Sequence, residues 1–132
     1  MFIEIESFGN PWFGGHSSLP ISKTSINIDS IVFLHKNKND LEVFVGTDVS
    51  YMKVRKNSIS FDDLKNLLSH KNFKEYKCVS YWVDGIVYLS MDAVNHFYKN
   101  ESNLLVYVGN MYKLSLEVSY EEFSSNFEYF NR

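Results

Sequence analysis

Aromatic side chains constrain what this chain can fold into more than any other feature of its sequence. Phenylalanine (11), tyrosine (9) and tryptophan (2) together make up 17% of 132 residues. Each such side chain buries roughly 150–250 Å² when it leaves water. A chain this short can therefore build a firm core without disulfides or a metal, and intrinsic disorder is disfavoured.

Length and charge narrow the class of protein further. The 132 residues fit one domain, and no repeat, low-complexity tract or linker divides them. We therefore expect a single domain over residues 1–132. The net charge of −3 argues against a surface given over to nucleic acid.

The sequence carries no sign of export or of membrane insertion. Cys78 is the only cysteine, which excludes an intrachain disulfide. The first residues contain Glu4 and Glu6 and no base, unlike a signal peptide, and no apolar run approaches the roughly 18–20 residues of a membrane span. We therefore expect a cytoplasmic protein without a membrane segment.

Alternation and turn residues predict strands along most of the chain. Residues 2–8 alternate between two sides, Phe2, Glu4 and Glu6 on one and Ile3, Ile5 and Ser7 on the other, which indicates a strand with one buried face. Residues 24–28, 30–35 and 41–46 are also predicted as strands, with a turn at 37–40.

Two dipeptides predict tight hairpin turns. Asp84-Gly85 would join residues 76–83 to 86–90 and pair Trp82 with Val87, while Gly109-Asn110 would join the two strands that flank it. Successive hairpins of this kind produce antiparallel pairing.

Serine caps predict three helices. Ser60 with Asp63, and Ser119 with Glu122, have the spacing of capping boxes, and Ser90 is expected to cap a short helix over 91–100. In the last helix the aromatic residues expected to face the core are Tyr120, Phe123, Phe127 and Phe130. The predicted fold class is α+β, a mostly antiparallel sheet built from hairpins with two or three helices packed on one face.

Catalytic and metal-binding patterns are missing from the sequence. The four histidines, at 16, 35, 70 and 96, are widely separated and form no HxH or HExxH arrangement. Asp62-Asp63 and Glu121-Glu122 fit helix first turns better than paired catalytic acids, because adjacent helical residues do not face each other. We therefore expect no cofactor, no metal and no enzymatic activity.

The loop at residues 11–18, PWFGGHSS, is the most unusual segment of the sequence. Trp12 and Phe13 could pin the loop to the core, or they could form an exposed contact, since aromatic residues often anchor interfaces. A third interpretation makes it a catalytic loop that uses His16, in a small hydrolase or nuclease.

A segment near the end of the chain contains acidic residues and no lysine or arginine. Residues 117–128 contain Glu117, Glu121, Glu122 and Glu128 and no lysine or arginine. Such a segment suits a basic partner, because complementary charge raises association rate and specificity. With Trp12 and Phe13, these acids are the predicted partner-binding residues, and Glu121 and Glu128 would share a helix face.

In its size, acidity, aromatic content and lack of catalytic motifs, the whole chain resembles bacterial toxin-immunity proteins, including those of contact-dependent inhibition systems. The resemblance implies a small cytoplasmic α+β protein that binds and neutralises a cognate toxin domain, often a nuclease. It rests on no residue-by-residue motif, so it assigns no functional positions. A regulatory inhibitor of phage or host origin, binding some other protein, is the alternative that these features leave open.

Overall fold

The computed structural model describes most of the chain. The described residues are 1–7, 22–38, 40–46, 50–54, 58–110 and 112–131. The predicted contact loop with Trp12, Phe13 and His16 lies outside these ranges.

Strands dominate the architecture. The strands are β1 (Phe2–Ser7), β2 (Ser22–Asn27), β3 (Ile31–Asn37), β4 (Asp40–Val45), β5 (Ser50–Lys53), β6 (Phe73–Val79), β7 (Asp84–Ser90), β8 (Val94–Asn100), β9 (Asn103–Val108) and β10 (Tyr112–Leu116). The helices are α1 (Phe61–Leu67) and α2 (Tyr120–Ser124), with single 3₁₀ turns at Ile28–Ser30 and Met91–Ala93. Strands make up 55% of the structure and helices 17%, so the predicted mostly antiparallel sheet is confirmed.

Eight of the strands form one sheet in the order β5-β4-β3-β7-β6-β10-β9-β8, and every neighbouring pair is antiparallel. Strands β1 and β2 form a separate antiparallel pair, which meets the larger sheet through a bridge between Ser7 and Val54. The alternation over residues 2–8 correctly predicted β1, in which Ile5 and Ser7 are buried.

The large sheet curls, so that β10 faces β4 across the main core. The Tyr112 hydroxyl donates a hydrogen bond to the Val45 carbonyl over 2.9 Å. The Tyr112 ring meets the edges of Phe33 and Phe44, each with centroids 5.4 Å away, and those two rings stack at 4.1 Å. Three of the aromatic side chains thus pack together inside this curl.

Helix α1 covers a second core on the other side of β3. Its N-cap forms as predicted, since the Ser60 hydroxyl accepts from the Asp63 amide over 3.0 Å. Leu64 and Leu68 are fully buried there with Leu34 of β3. Ile5 of β1, Ile26 of β2 and Ile28 of the following 3₁₀ turn close this second core.

Helix α2 packs against the main core instead. Its N-cap also forms as predicted, with the Ser119 hydroxyl accepting from the Glu122 amide over 3.1 Å. Phe123 is fully buried against Phe97, with ring centroids 4.9 Å apart. The two helices thus pack against different core clusters. The predicted core position of Phe130 is wrong, because α2 ends at Ser124 and the Phe130 side chain is fully exposed.

The predicted helix over residues 91–100 is wrong. Only a 3₁₀ turn forms at Met91–Ala93, Ser90 makes no side-chain cap, and β8 follows at once. The segment includes Val94, Phe97 and Tyr98, residue types that favour strands. Pairing with β9 through a two-residue turn satisfies the backbone groups on the inner edge of the strand.

The turn predicted at Asp84-Gly85 is also wrong, although the two strands it was to join do pair. Val79 lies opposite Asp84 and Tyr76 opposite Val87, so the connection is residues 80–83 and Gly85 lies within β7. Gly85 has φ +130°, and a Cβ there would come within 2.5 Å of the Lys36 carbonyl oxygen on β3. Glycine is needed for the close approach of another strand, not for a turn.

The second hairpin lies where the sequence predicts it. Gly109 has φ +59° and stands between β9 and β10. Val108 pairs with Tyr112, so the connection has three residues and not the two expected. Leu114 and Leu116 face the core, and Lys113 faces solvent.

Candidate functional site

An open groove lies where the β8–β9 turn approaches the junction between β10 and α2. Its volume is about 560 Å³. The lining residues come from these two segments and are Lys99, Glu101, Ser102, Asn103, Glu117, Val118, Ser119, Tyr120 and Glu121. We call this set the acidic groove, because it holds three carboxylates and one ammonium group.

Local structure explains how the carboxylates reach the acidic groove. Glu121 lies in the first turn of α2, where a negative charge suits the helix dipole and where the Ser119 cap fixes the chain direction. Glu117 follows β10, and its amide donates to the Lys77 carbonyl over 2.9 Å. Both carboxylates are therefore positioned by backbone contacts close to them.

The third carboxylate, Glu101, was not predicted from the sequence. It occupies the two-residue turn between β8 and β9 with φ +56°, a conformation usually adopted by glycine or asparagine. The sequence did not predict this turn, because position 101 holds neither glycine nor asparagine. Only the pairing of Asn100 with Asn103 brings Glu101 beside the other acids.

The acidic segment does have basic neighbours in space. The Lys77 ammonium lies 3.4 Å from the Glu117 carboxylate. Lys99 also lines the groove. The Lys77–Glu117 pair is well exposed, and such surface pairs contribute about 0–1 kcal/mol, so a partner's cation can replace Lys77 at low cost.

The remaining predicted acids lie elsewhere on the surface. Glu122 lines a second depression of about 400 Å³, together with Lys74 and Glu75. Glu128 is exposed in the segment after α2, so the helix face that it was to share with Glu121 does not form. The structure therefore brings together Glu117 and Glu121, and separates both from Glu122. The other predicted contacts, Trp12 and Phe13, lie outside the described residues.

His35 is a buried titratable group, and both of its ring nitrogens lie within hydrogen-bonding distance of a partner. Its Nδ1 lies 2.7 Å from the Glu42 carboxylate, and its Nε2 lies 2.8 Å from the Asp84 carbonyl oxygen. A carbonyl and a carboxylate both accept hydrogen bonds, so the ring bonds to both when it carries two protons. Burial lowers the pKa of His35, but the bonds to Glu42 and Asp84 outweigh it and raise the pKa above its ordinary value.

His96 and Cys78, the other residues considered for chemistry, both take part in packing contacts. His96 is exposed and stacks on Tyr107 with ring centroids 4.2 Å apart. Cys78 is fully buried, and this burial raises the pKa of its thiol. Within the described ranges no three His, Cys, Asp or Glu side chains are arranged to hold a metal ion.

Comparison with protein families, with curated proteins and with solved structures finds no match to this chain. In the part of the chain that the structure describes, no helix has the length and apolar character needed to cross a bilayer.

Proposed function

We propose that this protein is a toxin-immunity protein that binds a basic domain of its cognate toxin directly and thereby neutralises it. The observation that carries the proposal is the acidic groove, in which Glu101, Glu117 and Glu121 converge from separate segments of the chain. Among the described residues, Lys99 is the cation on the groove lining, and Lys77 outside the lining lies 3.4 Å from the Glu117 carboxylate. The described lining thus carries three carboxylates and one ammonium, a formal charge of −2.

The groove has the size and chemistry to receive basic side chains. A volume of about 560 Å³ accommodates more than one lysine or arginine side chain. A nuclease toxin carries a positive substrate-binding surface, and an acidic protein can occupy such a surface and exclude the nucleic acid. The carboxylates would speed association and set orientation, while closely packed contacts around them would supply most of the affinity.

The proposed contact surface extends beyond the groove. Glu122 and Glu128 are exposed on the adjoining α2 region and would meet further basic groups of the toxin. Trp12 and Phe13 would add aromatic anchors of the kind enriched at interfaces. Because the nucleic acid that such a toxin attacks is inside the cell, we propose that this protein acts in the cytoplasm, without a cofactor and without catalysis.

Growth protection tests the proposal. The protein encoded immediately upstream of this gene would be expressed under an inducible promoter, with and without this chain, in cells that otherwise stop growing. We expect the wild-type chain to restore growth, and Glu117→Lys/Glu121→Lys to lose most of that protection. The control, Asp62→Lys/Asp92→Lys, makes the same change in net charge on residues away from the groove.

Two results would count against the proposal. If the wild-type chain gives no protection, it is not an immunity protein for that toxin. If the groove variant and the control protect equally well while both remain folded, the acidic groove is only a solvated surface.

A further inference from the structure

Strand β8 ends the eight-stranded sheet with an open side. It pairs with β9 along one edge, and no described strand lies along its other edge. At the opposite end of the sheet, β1 meets the chain just beyond β5 through the Ser7–Val54 bridge. Strand β8 has seven residues and no proline; Lys99 and the register shift between Val94 and His96 restrict pairing locally, and the residues between them remain free to accept a strand.

The register of the β8–β9 hairpin shows which backbone groups face outward. Asn100 and Asn103 close a two-residue turn, and such a closing pair is hydrogen-bonded, as is every second pair after it. Tyr98 and His96 therefore direct their amides toward β9. The amides of Phe97 and Lys99 point to the open edge.

This open edge leads directly into the acidic groove. Lys99 belongs to β8 and also lines the groove, and Glu101 follows in the turn. A further strand would lie about 4.8 Å from β8. A side chain of that strand next to the β8–β9 turn, beyond the position opposite Lys99, would thus lie beside the acidic groove.

We propose that an extended, basic segment of the partner protein adds to β8 as a further strand and places a lysine or arginine in the acidic groove. The inference rests on the proposed function, since it names how the toxin engages that same site. Main-chain hydrogen bonds to Phe97 and Lys99 would provide affinity, and charge complementarity at the strand end would select a basic sequence.

A second copy of this chain would bring no complementary charge to the groove. In antiparallel pairing of β8 with β8 of another copy, the acidic groove at the end of one strand lies beside the start of the other, where Val94 and Asn95 are uncharged. A basic segment places complementary charge there.

The experiment uses a synthetic peptide as the probe. Acetyl-Lys-Val-Lys-Val-Lys-Val-Lys-amide can form a strand, and all of its charged side chains are positive. Its fully N-methylated form keeps those charges but has no amide hydrogens, and a glutamate-for-lysine form reverses them. Binding of all three to the full chain would be followed by NMR titration, together with amide hydrogen exchange at Phe97 and Lys99.

The variant Lys99→Pro removes one outward amide and leaves the pairing with β9 in place, because proline is tolerated on the open side of an edge strand. The matched control, Lys99→Ala, removes the same charge and keeps the amide. We expect at least a tenfold loss of affinity for the lysine-valine peptide in Lys99→Pro and no loss in Lys99→Ala. In the wild type, saturating peptide should slow exchange at Phe97 and Lys99 at least tenfold, a readout that does not depend on how Lys99→Pro folds.

The outcomes separate strand addition from the proposed function. If the N-methylated peptide binds as well as the parent, or exchange at Phe97 and Lys99 is unchanged, the strand addition is refuted. The proposal that the acidic groove binds basic side chains would still stand. If only the glutamate form binds, the charge assignment fails as well. A dimer of the free protein that Lys99→Pro dissociates would assign the edge to a second copy and overturn the proposal.

Discussion

His35 should make the stability of this protein depend on pH in a defined direction. The folded structure raises the pKa of His35 above its ordinary value of 6.5, through the hydrogen bonds to Glu42 and the Asp84 carbonyl that prevail over burial. The folded state therefore binds more protons than the unfolded state between pH 6.5 and the folded pKa. Stabilisation from this site is complete below pH 6.5 and is lost as pH rises through the folded pKa.

The substitution Glu42→Gln removes the carboxylate and keeps a side chain that can hydrogen-bond the ring. A neutral His35 can then donate to the Asp84 carbonyl and accept from the glutamine amide. One titrating group changes stability by at most about 1.4 kcal/mol per pH unit. Replacing a bond between two charged groups by a neutral one should cost about 1–2 kcal/mol at pH 6, where the imidazolium form predominates. The cost should shrink toward pH 9.

Urea unfolding of the wild type and Glu42→Gln at half-unit steps from pH 5.5 to 9 measures this difference. The other histidines are common to both proteins, so they cancel when one stability curve is subtracted from the other. We expect the two curves to converge as pH rises. If they stay parallel, His35 does not exchange a proton over this range and the assignment of an imidazolium is wrong.

Four further outcomes follow from the packing. Gly85→Ala should lower the free energy of unfolding by more than about 2 kcal/mol, since the new Cβ would lie 2.5 Å from the Lys36 carbonyl oxygen. At Gly109 the nearest atom is 3.5 Å away, so Gly109→Ala should cost only the left-handed backbone penalty of about 1 kcal/mol. Equal urea midpoints would contradict this. Phe123→Ala, at a fully buried ring, should cost about 3–5 kcal/mol in thermal unfolding, whereas Phe130→Ala, at a fully exposed one, should stay within about 0.5 kcal/mol. Ser60→Ala should cost about 1 kcal/mol through loss of the α1 cap, and a loss no larger than that of Ser69→Ala would argue against the cap. Cys78 should react with a thiol reagent only after unfolding by denaturant, and rapid labelling of the native protein would contradict its burial.

Local signals predicted the parts of the fold that depend on local contacts. The caps at Ser60 and Ser119 and the alternation in β1 need only a few neighbouring residues, and each is confirmed. Gly109 also lies in a turn, as its sequence neighbourhood indicates. Each of these features is specified within about five residues of sequence.

Strand pairing decided the elements that the sequence predicted wrongly. Residues 91–100 form a strand through the hairpin with β9, whose two-residue turn has no glycine to announce it. Gly85 resembles a turn residue until the approach of β3 is known, and that contact joins residues far apart in sequence.

For the same reason, the sequence predicted only part of the candidate site. Glu117 and Glu121 stand close in the sequence and reach one groove. Glu101 joins them only through the sheet, as does the Lys77 that pairs with Glu117. The acidity of the region could therefore be predicted, whereas its basic neighbours and its third carboxylate could not.

The affinity for the toxin at two salt concentrations tests the central claim most directly. Calorimetric titration of the purified upstream-encoded toxin domain would be run with the wild type and with Glu117→Lys/Glu121→Lys, at about 50 mM and about 500 mM salt. These span Debye lengths from about 14 Å to about 4 Å. We predict tight binding by the wild type that weakens with salt, and a variant at least tenfold weaker at low salt with a shallower salt dependence. If the affinity and the salt dependence of the folded variant both equal those of the wild type, the acidic groove does not bind the toxin.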